Sequence, residues 1–219
     1  MKLIIWDFDG TLADTRPVIE AGMAHTLETL GLDPQLKEPW LKCVGLPVEE
    51  GIQRTFGHLG IGLDQVVRAY RGFKHAEHEH LIKGFAGITE LLEELRRRGI
   101  KMAIASSKRG EPLRRQLKVL GWEDHFDPLV TPDEVQAAKP DPESVRVCLD
   151  AHGLGPEDAV MVGDTPYDLE MAQRAGVASV AVGHGFSSQE AMAAYGPRAY
   201  APDAAALRDI LLAWSGPWA

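Results

Sequence analysis

LIIWDFDGT, residues 3–11, is the segment that decides the fold. Its apolar start predicts a short buried strand over residues 2–6, of the kind found in parallel sheets. Asp7 and Asp9 follow where this strand ends, and Gly10 adds a turn signal. Alone, an Asp-Gly pair is also typical of an ordinary turn. Two carboxylates at such a position nevertheless suit phosphate chemistry, because one can attack, the other can move protons, and both can help to hold a hard cation.

The composition excludes several classes of protein. The chain has 219 residues, a formal charge of −9 and a hydrophobic fraction of 45%. These values indicate a globular protein of one or two domains and give no sign of a nucleic-acid partner. No apolar run approaches the roughly 20 residues that span a bilayer, so no membrane partner is expected. Cys43 and Cys148 lie in unrelated contexts, which favours a reduced, cytoplasmic protein, and we expect a monomer or a homodimer.

The pattern along the chain predicts two domains. Helical periodicity without a convincing strand extends over residues 15–82, and it includes a long helix predicted from about Leu63 to His80. From Gly84 onward strands alternate with single helices, which predicts an α/β fold with a doubly wound parallel sheet. We expect a Rossmann-like core formed by residues 1–14 and 83–219, with residues 15–82 inserted as a small α-helical cap. The end, Trp214 to Ala219, is expected to be frayed.

Polar side chains follow four of the predicted strands or their loops. Asp7 and Asp9 follow the first strand, and Ser106, Ser107 and Lys108 follow the strand at 101–105. The other two groups are Lys139-Pro140 and the segment Gly163-Asp164-Thr165-Pro166-Tyr167-Asp168. Because the carboxyl ends of parallel strands meet at one edge, we expect these side chains to form a single site beneath the cap.

This set of motifs resembles the haloacid dehalogenase superfamily, in its phosphatase branch. Residues 7–11 match the first motif, D-x-D-G-T, and Ser106 matches the second. Lys139 matches the third motif, and residues 163–168 match the fourth, G-D-x-x-x-D. Asp14 and the runs at 45–47 and 139–142 look most like the phosphoglycolate phosphatase-like group.

The resemblance implies a role for each motif residue. Asp7 is expected to attack phosphorus and form an aspartyl-phosphate, while Asp9 protonates the leaving group and later activates water. Mg²⁺ is the expected cofactor, with Asp7, the backbone carbonyl of Asp9, Asp164 and Asp168 as its candidate ligands. Lys139, Ser106, Ser107 and Gly10 are the candidate phosphate-binding residues, and Lys108 is a candidate substrate contact.

The histidine-rich run at residues 75–80 offers a second metal hypothesis. His75 and His78 are three residues apart, a spacing that can chelate a metal on a helix. A solvated helix face of mixed charge is the favoured interpretation.

The motifs leave more than one reaction open. A dehalogenase needs no acid for its leaving group, so Asp9 favours phosphoryl transfer. A mutase of the β-phosphoglucomutase type typically has valine or isoleucine after the motif glycine, whereas Thr11 stands here. A pyrophosphatase of the same cap class also stays open, as does a non-catalytic protein that binds a phosphate ligand, although the latter should have lost a catalytic residue.

The favoured partner is a small phosphorylated metabolite, such as phosphoglycolate. Its second anionic group could meet a cation of the cap. The candidates for this contact are Arg16, Lys42, Arg54, Arg68 and Arg71.

Overall fold

A computed structural model describes residues 1–215 of the chain. The strands are β1 (Leu3–Trp6), β2 (Ala13–Asp14), β3 (Lys83–Gly84), β4 (Lys101–Ala105), β5 (Leu129–Val130), β6 (Ala159–Gly163), β7 (Ala178–Val182) and β8 (Ala199–Ala201). The α-helices are α1 (Arg16–Thr29), α2 (Lys37–Leu41), α3 (Val48–Phe56), α4 (Leu63–Gly72), α5 (Ile88–Arg97), α6 (Gly110–Leu120), α7 (Glu143–His152), α8 (Pro166–Ala175), α9 (Gln189–Ala193) and α10 (Ala204–Trp214). Short 3₁₀ segments cover Pro34–Leu36, His75–Leu81 and Pro156–Asp158.

Six of the strands form one parallel sheet in the order β5-β4-β1-β6-β7-β8. This confirms the predicted doubly wound α/β fold. The chain winds outward from β1 in both directions, so the order reverses between β1 and its two neighbours. In such sheets the crevice for a ligand opens at the carboxyl ends of the strands beside this switch point.

The central strand β1 is buried on both faces. Ile4 and Trp6 pack with α5, α6 and α10 on one side, whereas Leu3 and Ile5 pack with α7 and α8 on the other. This division follows from the alternation of side chains along a strand. A strand that is apolar at every position therefore fits only the middle of such a three-layer structure.

The end of the chain differs from the prediction. Strand β8 and helices α9 and α10 continue the fold after residue 182, and Trp214 is the last residue of α10. The Trp214 ring packs against the core cluster, and the Arg198 guanidinium carbon lies 4.6 Å from the centroid of this ring. The expectation of a frayed end is thus wrong at Trp214. Residues 216–219, to which the same expectation applied, lie outside the described residues.

The cap has its own apolar cluster, to which helices α1, α2, α3 and α4 contribute. The predicted long helix over 63–80 is wrong, because α4 ends at Gly72. Phe73 then takes an extended conformation with ψ of 131°. The ring nitrogens of His75 and His78 bond to the carbonyls of Phe73 and Lys74, and such side-chain bonds compete with helix continuation.

The favoured interpretation of the histidine-rich run as a solvated face is wrong at Glu79. This carboxylate is buried against the core, where it accepts hydrogen bonds from Arg115 at 2.7–2.9 Å and from Gln116 at 3.2 Å. His75 and His78 instead pack on the Phe73 ring, with centroid distances of 4.8 and 4.6 Å. The run therefore joins the cap to α6.

The two connections between cap and core lie side by side. Strands β2 and β3 pair antiparallel, with Asp14 opposite Lys83. We therefore propose the cap boundaries at 15 and 82, where the chain leaves and re-enters this pair.

Both cysteines, Cys43 and Cys148, are free. Cys148 is buried behind the sheet, and this burial raises the pKa of its thiol to about 12, which makes it unreactive. Within residues 1–215, no helix has the length and apolar character needed to cross a membrane.

The close contact of Gly84 with Trp122 yields a stability prediction. A Cβ atom at Gly84 would lie 2.7 Å from the Trp122 ring, which is buried and hydrogen-bonded to Thr89. We expect Gly84→Ala to lower the free energy of unfolding by about 1–3 kcal/mol through this overpacking, as measured by urea denaturation. Gly72→Ala is the matched control, since no atom lies within 4 Å of its added Cβ, and equal losses in both variants would contradict the prediction.

Candidate active site

Asp7 follows β1 and lies at the carboxyl edge of the sheet. Its backbone N–H donates to the Val162 carbonyl at 2.9 Å, which extends the pairing of β1 with β6 by one residue. The same edge receives Asp164, the first residue after β6. Neighbouring parallel strands in register thus bring together two carboxylates that are 157 positions apart in the chain.

Asp7, Asp164 and Asp168 form a compact cluster of acids. Each offers a carboxylate oxygen, and these three atoms all lie within 4.8 Å of one another. All three side chains are buried. Buried carboxylates repel each other and lose hydration, so such a cluster requires a compensating cation.

Lys139 supplies part of that compensation. Its ammonium nitrogen lies 2.6 Å from Asp7 Oδ1 and 2.6 Å from Asp168 Oδ1, and only 2% of the side chain is exposed. One ammonium facing three carboxylates leaves the ionised cluster with two uncompensated negative charges.

Asp164 is held by hydrogen bonds to both of its oxygens. The Thr11 hydroxyl donates to Oδ1 at 3.0 Å, and the Phe186 backbone N–H donates to Oδ2 at 2.7 Å. Gly10, at φ +80°, and Gly185 lie so close that an added Cβ would approach Oδ2 to 2.5 and 2.2 Å. The carboxylate is therefore fixed between two backbone turns.

Asp168 is engaged on both oxygens by protein groups. Its Oδ2 accepts from the Thr165 backbone N–H at 3.1 Å and from the Thr165 hydroxyl at 2.7 Å, while Oδ1 faces Lys139. Thr165 and Asp168 form the capping box at the start of α8. Because both oxygens are engaged, Asp168 is better suited to orient Lys139 and a metal-bound water than to bind the metal directly.

Asp9 lies apart from the buried cluster. Its carboxylate pairs with the Lys108 ammonium at 2.7 Å, and Lys108 also donates to Gln116 Oε1 at 2.8 Å. Because Lys108 engages the Asp9 carboxylate, the backbone carbonyl of Asp9 is its proposed metal-binding atom. Asp9 also lines the space beneath the cap.

The two predicted serines have different surroundings. Ser106 is buried just after β4, and its hydroxyl oxygen accepts from the Lys108 backbone N–H at 3.3 Å. The Ser107 hydroxyl donates to the Gly45 carbonyl of the cap at 2.7 Å. Ser107 thus closes the cap onto the core, and Ser106 stays the better placed of the two for a phosphate oxygen.

A cavity of about 650 Å³ lies between the cap and these residues. Asp7, Asp9, Ser106, Ser107 and Lys108 line its floor. The cap contributes apolar and aromatic side chains, which include Val18, Met23, Trp40, Leu46, Tyr70 and Phe73. Of the five cap cations that the sequence offered for a second anion, Arg71 lines the cavity, and its guanidinium pairs with Glu49.

Burial changes the protonation of the acids. It raises the pKa of Asp7 to about 7 in the protein without a cation, because the neighbouring Lys139 only partly offsets the lost hydration and the charges of Asp168 and Asp9. Burial and the charges of Asp168 and Asp7 also raise the pKa of Asp164. Both shifts have one physical meaning, namely that the cluster needs more positive charge than Lys139 supplies.

This donor set fits Mg²⁺. Hard carboxylate and carbonyl oxygens are the ligands that Mg²⁺ prefers, and the two uncompensated charges match a divalent ion. Asp7, Asp164 and the Asp9 carbonyl are the proposed direct ligands, with Asp168 beside them.

Comparisons with known proteins identify the family. The family model described as haloacid dehalogenase-like hydrolase matches residues 4–182. The chain belongs to this hydrolase family. A curated relative, the pyrophosphatase PpaX of Bacillus velezensis, is 33% identical over 195 residues, which cover 89% of this chain and 88% of the relative.

Solved structures agree with this family membership. A haloacid dehalogenase-like family hydrolase from Streptococcus pneumoniae superposes with a TM-score of 0.81 and 25% identity, covering 99% of each chain. A structure described as a predicted phosphoglycolate phosphatase, from Haemophilus somnus, has a TM-score of 0.86 at 23% identity and covers 98% of each chain, which supports the fold. The family and the buried acids together make this chain a phosphatase-type hydrolase.

Two features of the site were not predicted from the sequence. Thr165, three residues before Asp168, carries the usual signature of a capping box and could have been found. Gly185 contributes because it has no side chain and its backbone can approach Asp164, and Phe186 contributes a backbone N–H. Neither contribution has a recognisable sequence pattern.

The charge of the acid cluster predicts a stabilising effect of Mg²⁺ that depends on pH. With the ion about a hundredfold above its dissociation constant, we expect the melting temperature to rise by roughly 5–10 °C at pH 8. At pH 6 the rise should be smaller, because a proton on Asp7, whose pKa is about 7, competes with the ion. Differential scanning calorimetry with and without MgCl₂ measures both shifts.

The stability of the metal-free protein depends on pH in the opposite direction. Because folding raises the pKa of Asp7 from 3.8 to about 7, this group stabilises the metal-free fold fully below pH 3.8 and loses that contribution as the pH rises through 7. KCl at matched ionic strength is the control for salt. An equal Mg²⁺ shift in wild type and Asp164→Asn would contradict the assignment of the ion to this cluster.

Proposed function

We propose that the protein is a Mg²⁺-dependent phosphatase that hydrolyses a small phosphate ester through an aspartyl-phosphate on Asp7. One observation carries the proposal: Asp7, which belongs to a buried cluster of three carboxylates and one ammonium, lines the same cavity beneath the cap as Asp9. A carboxylate nucleophile splits the displacement at phosphorus into two easier steps.

Asp9 is the proposed proton carrier. Its carboxylate lines the cavity and is held at 2.7 Å by Lys108, which is itself fixed by Gln116. In its protonated form Asp9 gives its proton to the departing alkoxide oxygen, and the carboxylate that remains takes a proton from the water that cleaves the aspartyl-phosphate. The pairing with Lys108 orients the carboxylate for both steps.

Two further groups are proposed to bind the phosphate or to prepare the nucleophile. The Ser106 hydroxyl can donate to a phosphate oxygen, and Lys139 keeps Asp7 Oδ1 occupied. The remaining oxygen of Asp7 is then the one that attacks. When bound, Mg²⁺ reduces the repulsion between the anionic nucleophile and the anionic phosphate. The Gly10 N–H, which the sequence offered for the phosphate, instead donates to the Ala13 carbonyl at 2.9 Å.

The cavity favours a phosphate monoester over a diphosphate. Four of the lysines and arginines that line it are each paired with a carboxylate, and these are Arg71, Lys74, Lys108 and Arg115. A second phosphate carries more than one negative charge, so its full compensation would require one of these paired cations in addition to a free one. Arg109 also lines the cavity, and within residues 1–215 no ion pair engages it, so one carboxylate of a phosphoglycolate-like substrate can be met there.

Inorganic pyrophosphate is the second candidate substrate. It is favoured by the name of the relatives, pyrophosphatase PpaX, two of which are 29% and 33% identical to this chain over about nine tenths of its length. The proposed catalytic residues serve either substrate, because both present a terminal phosphate to Asp7.

Removal of the nucleophile tests the reaction. We expect Asp7→Asn to lower Mg²⁺-dependent release of p-nitrophenol from p-nitrophenyl phosphate by at least about a thousandfold, because no attacking oxygen of comparable nucleophilicity remains. The control is Asp209→Asn, which removes a surface carboxylate that is 80% exposed. If wild type and Asp7→Asn were equally inactive on a broad panel of phosphate esters, an enzymatic function would be refuted.

A substrate panel distinguishes the two candidates. We expect kcat/KM for 2-phosphoglycolate to exceed that for pyrophosphate by about tenfold or more, since Arg109 can meet one carboxylate without breaking an ion pair. Phosphate release with Mg²⁺ is the measurement, and a strong preference for pyrophosphate over every monoester would reject the monoester proposal.

The variant Arg109→Gln tests whether this residue binds the carboxylate of the substrate. Arg109→Gln should raise KM for phosphoglycolate, whereas KM for ethyl phosphate, which has no carboxylate, should stay unchanged. An equal change for both substrates would show that Arg109 does not read the second anion.

A further inference from the structure

The loop that follows β7 connects the acid cluster to the cap. On its core side, the Phe186 backbone N–H donates to Asp164 Oδ2 at 2.7 Å. At Gly185, an added Cβ would lie 2.2 Å from the same oxygen, so the loop backbone lies directly against the carboxylate. None of the four motif segments contains these residues.

On its cap side, the loop is held by Arg16, the first residue of α1. An Arg16 guanidinium N–H donates to the Gly185 carbonyl at 3.0 Å. The guanidinium carbon lies 4.5 Å from the centroid of the Phe186 ring, within the range of a cation–π contact. The other guanidinium nitrogen pairs with Glu20 at 3.5 Å, which fixes the group on α1.

The Phe186 ring completes this connection. It packs against the apolar cluster of the cap, and its Cδ2 atom would lie 2.6 Å from a Cβ placed on Gly10. The ring is therefore enclosed between the cap and the turn after β1. A shift of the cap that releases Arg16 removes support from the backbone N–H that orients Asp164.

We propose that Arg16 and Phe186 are positioning residues for Asp164, and that through them the affinity for Mg²⁺ depends on the position of the cap. This inference rests on the proposed function, in which Asp164 is a ligand of the ion. Hydrogen bonds to a metal-binding carboxylate fix its orientation and contribute to metal affinity. By linkage, a bound ion favours the cap position in which Arg16 reaches the loop to the same extent.

A second cap arginine provides a matched control. Arg54 also pairs with a glutamate four residues away, Glu50, and its guanidinium carbon lies 5.5 Å from the ring centroid of Tyr167 in the core. It therefore joins cap and core by the same kind of contact. The Tyr167 hydroxyl, however, bonds to Arg54 and to a cap carbonyl, whereas the loop at Phe186 bonds to the acid cluster.

Isothermal titration calorimetry with MgCl₂ tests the proposal on the full chain. We expect Arg16→Ala to weaken Mg²⁺ binding by about tenfold, a typical loss for groups that orient metal ligands. Arg54→Ala should bind Mg²⁺ as wild type does. Arg16→Lys keeps the charge without the planar stacking on Phe186, so its affinity should fall between those of Arg16→Ala and wild type.

Hydrogen exchange followed by mass spectrometry gives a readout that a general loss of stability would not move. In Arg16→Ala, exchange should speed up in peptides that cover residues 183–187, while the core helix α7 stays as protected as in wild type. Steady-state kinetics should show a higher MgCl₂ requirement, with kcat at saturating Mg²⁺ close to that of wild type.

The outcomes distinguish a failure of the positioning role from a failure of the proposed function. If wild type binds no Mg²⁺, the proposed function itself fails. If wild type binds Mg²⁺ but Arg16→Ala and Arg54→Ala have equal affinities, the positioning role is overturned and the proposed function stands. Phe186→Leu, which keeps an apolar side chain, should weaken binding less than Arg16→Ala does, and an unchanged loop exchange in Arg16→Ala would also overturn the inference.

Discussion

The ion pairs of Lys139 with Asp7 and Asp168 are the interaction on which the rest of the site depends. Three carboxylates within 4.8 Å of one another at a buried sheet edge would be strongly unfavourable without a cation among them. Lys139 lies at 2.6 Å from two of them and is almost fully buried itself. Each member therefore makes the burial of the others tolerable, and loss of one partner would leave an uncompensated charge.

The sheet topology explains why these groups can meet. Strands β1 and β6 are parallel neighbours in register, so Asp7 and Asp164 leave the sheet at the same level. Asp168 follows one turn into α8, where the capping box with Thr165 fixes its side chain toward Lys139. The residual charge of two negative units is then a direct consequence of the fold, and it defines what kind of ion the site can accept.

Much of this arrangement could be predicted from the sequence. The parallel sheet follows from apolar strands that alternate with helices, and the convergence of the four motifs follows from the rule that ligands bind at the carboxyl ends of such strands. The prediction failed where local contacts override periodicity, since the long cap helix ends early at Gly72 and side chains of His75 and His78 capture backbone carbonyls. It also failed at Phe186, which acts on Asp164 through a backbone N–H that every residue except proline carries. Motifs therefore reveal side chains that do chemistry, whereas the backbone groups that orient them become visible only in three dimensions.

The division of charge between the two domains has a consequence for specificity. In the core, negative charge exceeds positive charge at the acid cluster, while the cavity-lining cations Lys108, Arg71 and Arg115 each face a carboxylate. A substrate that enters the cavity thus meets its strongest electrostatic attraction at the proposed Mg²⁺ site rather than at the cap. The cap can then discriminate mainly by shape and by apolar contact, for which its aromatic wall of Trp40, Tyr70 and Phe73 is suited. Under this proposal the acid cluster carries the chemistry, Arg109 and the cap wall carry the selectivity, and the contacts of Arg16 and Ser107 join the cap to the core.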